Sequence, residues 1–182
     1  MNDLCVVPIG GVPSGALEWI ESALAEWFPL RVRRLAALPL PGDAYDGERG
    51  QYQSVEIMKM LAQSAPQNAA RVLGVTDVDL AIPMLTFLFG QAQFEGSVAL
   101  VSLCRLHQEF YGLPAQESLL RERTVKEVLH ELGHTFGLVH CSDSSCAMSL
   151  ATHIALVDSE AEKYCSRCGT QLAQRFARNG GV

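Results

Sequence analysis

His130-Glu131-Leu132-Gly133-His134-Thr135-Phe136-Gly137-Leu138-Val139-His140 carries more chemistry than any other stretch of the chain. In a helix the step from His130 to His134 rises about 6 Å and turns about 40° past a full turn, so both imidazoles leave one face and can share an ion. Helix is expected because Val125, Val128, Leu129, Leu132 and Phe136 recur at helical spacing. Thr124 and Glu127 have capping-box spacing if the helix begins there, and a start near Ser118 fits equally. The helical stretch is expected to end near Leu138. Gly137 takes a left-handed conformation without steric cost, which lets the chain swing back and return His140 as a third nitrogen ligand.

Three neutral histidines leave a tetrahedral zinc with one open position for water, as in catalytic rather than structural sites. Glu131 neighbours the first ligand, so its carboxylate is placed for the water rather than the ion. The expected role is general base, taking a proton as the water attacks a carbonyl. Each residue alone is weak evidence: a single helical histidine is more often solvated or a satisfied core group. The joint spacing is what makes the pattern specific.

The chain has six cysteines, four of them between Cys141 and Cys168. Cys141, Cys146, Cys165 and Cys168 suit a closed structural zinc with four thiolates. Successive side chains in extended backbone face opposite ways, so His140 can serve one ion and Cys141 another. Two zinc ions per chain are expected. A thiol–disulfide role for Cys165-x-x-Cys168 would need only two cysteines and a βαβ context that this region lacks. Cys5 and Cys104 lie in apolar strand patterns and read as core residues.

Around this centre the composition is that of one folded domain: 182 residues, 48% apolar and 19% charged. A net charge of −6 gives no basic field for nucleic acid. The longest nearly apolar stretch, Leu80 to Gly90, contains a proline and falls short of the roughly 20 residues of a membrane span. Met1 to Gly10 carries an aspartate where a signal peptide wants positive charge, so a cytoplasmic location with reduced cysteines is expected.

Asp3 to Ile9 reads as a buried strand, Ser14 to Phe28 as an amphipathic helix, and Leu30 to Leu38 as an apolar strand-like segment. A polar loop from Gly42 to Arg49 precedes a helix from Tyr52 to Ala65. Arg71 to Val75 and Asp77 to Ile82 carry strand composition. Leu85 to Phe94 and Ser97 to Leu106 read as a hairpin turning at Glu95-Gly96. The order β-α-β-α-β followed by a hairpin implies a mixed α/β fold, its sheet mostly parallel with Leu85 to Phe94 antiparallel. The character changes near residues 107 to 116, marking two parts that pack around one cleft, and a last helix is expected from about Gln171 to Arg178.

The motif resembles the metzincin clan of zinc peptidases, whose HExxHxxGxxH is followed by a turn carrying a methionine beneath the metal. Met148 matches that methionine, a position that a core-filling methionine would also suit. Cys141, Cys146, Met148 and Cys165-x-x-Cys168 resemble the archaemetzincin family in particular. The resemblance implies a metzincin-like mixed, mostly parallel twisted sheet with helices, an active-site helix and a zinc-stapled lower subdomain across a cleft. It divides a single domain, 1–182, into an upper part, about 1–138, and a lower part, about 139–182. Leu150 stands where some metzincins add a tyrosine ligand, so that ligand is excluded. The expected substrate is a peptide or protein in extended conformation, added as a strand to the free edge of Leu85 to Phe94. His107 and His153 are expected outside the metal set. The expected function is a zinc-dependent peptidase. The alternatives are a zinc-stabilised peptide-binding protein with little turnover and a thiol-based regulator.

Overall fold

The computed structural model describes residues 3–179. Its central strand β1 (Asp3–Ile9) is buried along its whole length. It pairs in parallel with β2 (Arg31–Arg34) on one side and with β5 (Ala69–Thr76) on the other. β9 (Val98–Ser102) extends the sheet in parallel beyond β5, and β8 (Gly90–Ala92) closes it antiparallel to β9, giving the order β2-β1-β5-β9-β8. Strands covered on both faces read as unbroken apolar runs, which is why β1 and β9 were legible.

The two sets of alternating side chains face different helices. Leu4, Val6, Leu73, Val75, Ala99 and Val101 share a core with α1 (Ser14–Trp27) and α3 (Glu117–Thr135). Cys5, Val7, Ile9, Val72, Val98 and Leu100 pack with α2 (Ser54–Ser64). The cysteine-bearing segment joins the first core through Cys141, Cys146, Val157, Tyr164, Cys168 and Leu172, with the short α4 (Ile154–Ser159) and α5 (Ser166–Asn179).

Several expected elements differ. The segment Leu30 to Leu38 is strand only over Arg31–Arg34, although the Leu35 and Leu38 amides still donate to the Val6 and Pro8 carbonyls at 2.9 Å each. Gly42 to Arg49 is not simply a loop: β3 (Tyr45–Asp46) starts a second sheet, ordered β3-β4-β6-β7, with β4 (Gln51–Gln53), β6 (Leu80–Ile82) and β7 (Leu85–Leu88). Leu85 to Phe94 is therefore two strands. β7 turns back on β6 after Pro83-Met84, the chain bends at buried Phe89, and β8 then pairs with β9. Asp77 to Ile82 likewise leaves the β5 line, and only its last three residues form a strand.

The hairpin turn is at Glu95-Gly96 as expected, with Glu95 at φ +53°. Helix α3 begins at Glu117, so Thr124 is interior and its hydroxyl donates to the Leu120 carbonyl at 2.7 Å. Helix α5 starts five residues before Gln171, which sets Cys168 in its first turn. Among the described residues no helix is long and apolar enough to cross a membrane.

Candidate metal centre

The C-terminal half of α3 is held at three points. Arg71 on β5 donates through Nε to Thr135 Oγ1 at 3.0 Å and through Nη2 to the Thr135 carbonyl at 3.1 Å. Its guanidinium also lies 4.1 Å from the centre of the Phe136 ring. The Glu95 amide at the hairpin tip donates to the His134 carbonyl at 3.0 Å. The helix ends at Thr135 and the chain turns at Gly137, φ +81°, with the Leu138 amide reaching back to the Gly133 carbonyl at 3.0 Å. The positive φ favours glycine there; a Cβ would also meet Glu95 Oε1 at 2.8 Å and Arg175 Nη2 at 2.9 Å, the ends of exposed side chains that would have to move aside.

The helix end and the return loop bring His130, His134 and His140 together, with one ring nitrogen of each within 4.8 Å of the others. His130 Nδ1 sits 2.9 Å from the Ala147 carbonyl, and His134 Nδ1 sits 2.8 Å from the Leu138 carbonyl. A carbonyl only accepts, so both Nδ1 atoms carry the proton and both Nε2 atoms keep a lone pair. Those two Nε2 atoms are 3.1 Å apart. Tetrahedral zinc with bonds of about 2.0–2.1 Å separates its nitrogen ligands by about 3.3 Å, so the donor set fits that ion. Burial, helped by the neighbouring His134, drives His130 down to about 3 against the pull of the Ala147 carbonyl. Burial lowers His134 as well. Both rings are neutral at ordinary pH, the form that ligates.

Cys141, Cys146, Cys165 and Cys168 form a second group, their sulfurs also within 4.8 Å of one another. The Cys141 and Cys165 sulfurs are 3.8 Å apart, which matches the separation of about 3.8 Å expected for thiolates on a tetrahedral zinc with bonds of about 2.3 Å. None of the four is paired in a disulfide. Burial raises Cys141, but the Asp143 amide and the Arg167 guanidinium, 3.4 and 3.2 Å from its sulfur, outweigh it together with the Cys168 and Cys165 thiols and bring it down to about 7. Burial, first among several causes, raises Cys168. His140 and Cys141 are adjacent in sequence yet belong to different groups.

A cleft of about 580 Å³ opens over the histidines, walled by Leu85–Phe89 on one side and Leu150–Thr152 on the other. Glu131 lines it beside His130, and burial pushes its carboxyl up to about 8. Met148 is fully buried and packs on Gly133, where a Cβ would collide with its sulfur. His107 instead faces Asp77, Nε2 to Oδ1 3.1 Å, and exposed His153 precedes α4; neither joins the group.

Glu127 was legible only as a partner for Thr124, yet it lines the same cleft. The available signal was its position three residues before His130, on the same helix face. The Ala147 and Leu138 carbonyls, Arg71 and Glu95 had no such signal, because backbone acceptors and distant partners leave no pattern in residue type.

The sequence model described as peptidase family M54 matches residues 43–174. An archaemetzincin of Methanocaldococcus jannaschii is 39% identical over 94% of this chain and 93% of its own length. The crystal structure of archaemetzincin from Methanopyrus kandleri superposes with a TM-score of 0.87 at 37% identity, covering 97% of this chain and 96% of that one. That of a zinc-dependent peptidase from Methanocorpusculum labreanum gives 0.79 at 30% identity, covering 92% and 99%. A match over most of the chain, and relatives of this identity over nearly their full length, mean that the chain belongs to peptidase family M54.

Proposed function

We propose that the chain is a zinc-dependent peptidase that hydrolyses peptide bonds in the cleft above α3, with His130, His134 and His140 as zinc ligands and Glu131 as general base. The observation that carries this reading is the pair of proton-free Nε2 atoms, 3.1 Å apart, opening into the cleft that Glu131 lines. Zinc bound there supplies a Lewis acid and lowers the pKa of water towards about 7. Glu131 takes a proton from the attacking water at its carboxylate and passes it to the leaving amine. Burial pushes this carboxyl up to about 8, and zinc held by the three histidines would work against that burial and favour the carboxylate. The Ala147 and Leu138 carbonyls hold the His130 and His134 rings in the ligating tautomer.

A second zinc, on Cys141, Cys146, Cys165 and Cys168, ties the loop after His140 to the start of α5, so we assign two zinc ions per chain. We divide the single domain at about residue 138, with Met148 and the cysteine site in the part from about 139 to 182. The substrate lies extended against β7, whose Leu85 and Thr86 carbonyls are held by Arg49 and Gln51. A net charge of −6 argues against nucleic acid, and four cysteines gathered as one metal-ligand set rather than as disulfide pairs suit a reducing, cytoplasmic setting.

The experiment is cleavage of a peptide library by zinc-loaded protein beside Glu131→Gln. The isosteric change is expected to keep both zinc ions and lower cleavage by about 100- to 10,000-fold. Equal cleavage by both would refute the role of Glu131, and binding of peptides without cleavage by either would favour a binding protein.

A further inference from the structure

Glu127 is 5% exposed, lines the cleft, and is used neither by the metal groups nor by the proposed hydrolysis. One helical turn separates it from Glu131, so the two side chains leave the same face of α3 with their Cβ atoms about 5–6 Å apart. Among the described residues no side chain or amide donates to it, and the charges that reach it are those of Glu131 and Glu160, both acidic. The nearest lysine in sequence, Lys126, is spent on the Val157 carbonyl at 3.2 Å. Buried carboxyls in folded proteins ordinarily have a partner, and leaving one without costs free energy. Glu160 Oε1, not Glu127, is the described side-chain atom sealed from solvent without a partner, so the Glu127 carboxyl reaches the cleft it lines and can be met there by something that enters it.

The walls narrow the choice. Leu85, Phe87, Leu88, Phe89, Leu150 and Ala151 line the same cleft as Glu127 with apolar side chains. Apolar walls suit a methylene stem, and an acidic floor suits a cationic head. A bare ammonium would leave the walls unfilled, and an acidic side chain would meet two carboxyls.

We infer that Glu127 recognises the cationic side chain of a lysine or arginine next to the scissile bond, making it a specificity-determining residue of the cleft. The inference rests on the peptidase reading for the scissile bond but not for the binding itself. In the empty cleft, burial holds the Glu127 carboxyl protonated well beyond the usual carboxylate range, with the two acidic neighbours adding to the effect. A substrate cation replaces that proton, so the charge is buried only as a pair.

The test uses zinc-loaded full-length protein and two series of otherwise identical peptides, one with lysine or arginine and one with norleucine at each position. Cleavage is followed by mass spectrometry and equilibrium binding by fluorescence anisotropy. The native protein is expected to favour the basic peptides by about tenfold or more at one position. Glu127→Gln should bring that ratio near one, and Glu127→Asp should restore part of it, with melting curves confirming that both variants fold. A native ratio near one, or a ratio unchanged in Glu127→Gln, overturns the inference. Discrimination in binding with no peptide cleaved would sustain the role of Glu127 while the peptidase reading fails.

Discussion

Gly90 and Glu131 compete for one small volume: a Cβ on Gly90 would fall 2.6 Å from the Glu131 Cγ and 2.8 Å from its Oε1. The edge strand of the large sheet thus sets where the carboxyl can lie, although the two residues are 41 positions apart (131 − 90).

Gly90→Ala is accordingly expected to displace the Glu131 carboxyl while leaving the three histidines in place. A displacement of about 1 Å can cost on the order of 100-fold in rate. The same Cβ would meet the Leu100 carbonyl at 2.7 Å, so a stability loss of about 1–3 kcal/mol should accompany it. Steady-state kinetics with zinc analysis checks this; native activity at native zinc content would show that the carboxyl tolerates the shift.

Cys165→Ser should destabilise the fold more than His134→Ala. The four-sulfur group joins Cys141 and Cys146 to Cys165 and Cys168 across the core shared with Tyr164 and Leu172, whereas the histidine group opens on solvent through exposed His140. Metal bound to a closed site contributes folding energy. Thermal melts of the zinc-loaded variants decide the order, and a larger loss for His134→Ala would reverse the assignment of the two sites.

Chelation should remove the histidine-bound zinc first, with the fold intact and activity regained when zinc is added back. Three neutral ligands and an exchangeable position release an ion more readily than four anionic sulfurs. Elemental analysis alongside far-UV circular dichroism would expose the opposite order, or unfolding with the first equivalent.

Stability should fall from mildly acidic to mildly alkaline pH, in part through Glu160. Its Oε1 is buried without a hydrogen-bond partner, and burial pushes the carboxyl up to about 8 against the opposing charge of Lys126. The folded chain keeps a proton that the unfolded chain releases near the ordinary value of 4.5. This contribution is therefore full below about 4.5 and is lost as pH rises through about 8. Glu160→Gln should flatten the decline without abolishing it, since Glu127 shifts in the same direction. Urea unfolding of zinc-saturated native and variant protein between pH 6 and 9 measures the difference; parallel curves would mean that Glu160 does not hold the proton.

The spacing of His130, His134, Gly137 and His140, and the four clustered cysteines, were legible in the sequence because they obey local rules. A helix repeats every 3.6 residues, a left-handed turn prefers glycine, and metal ligands come from few residue types. The existence of β1, β5 and β9 and their mostly parallel setting were legible for a similar reason, since strands buried on both faces are apolar throughout, but their order in the sheet was not. Where Leu85 to Phe94 divides was not legible, because residue type does not record the change of partner from β6 to β9 at the bend of Phe89. The small sheet went unread because its strands are two to four residues long and carry no periodicity. Only the tertiary structure put Gly90 under Glu131, the Ala147 carbonyl behind His130, and Glu127 at the floor of the cleft. Each of these depends on contacts between distant segments, and register and packing decide those rather than the type of any one residue.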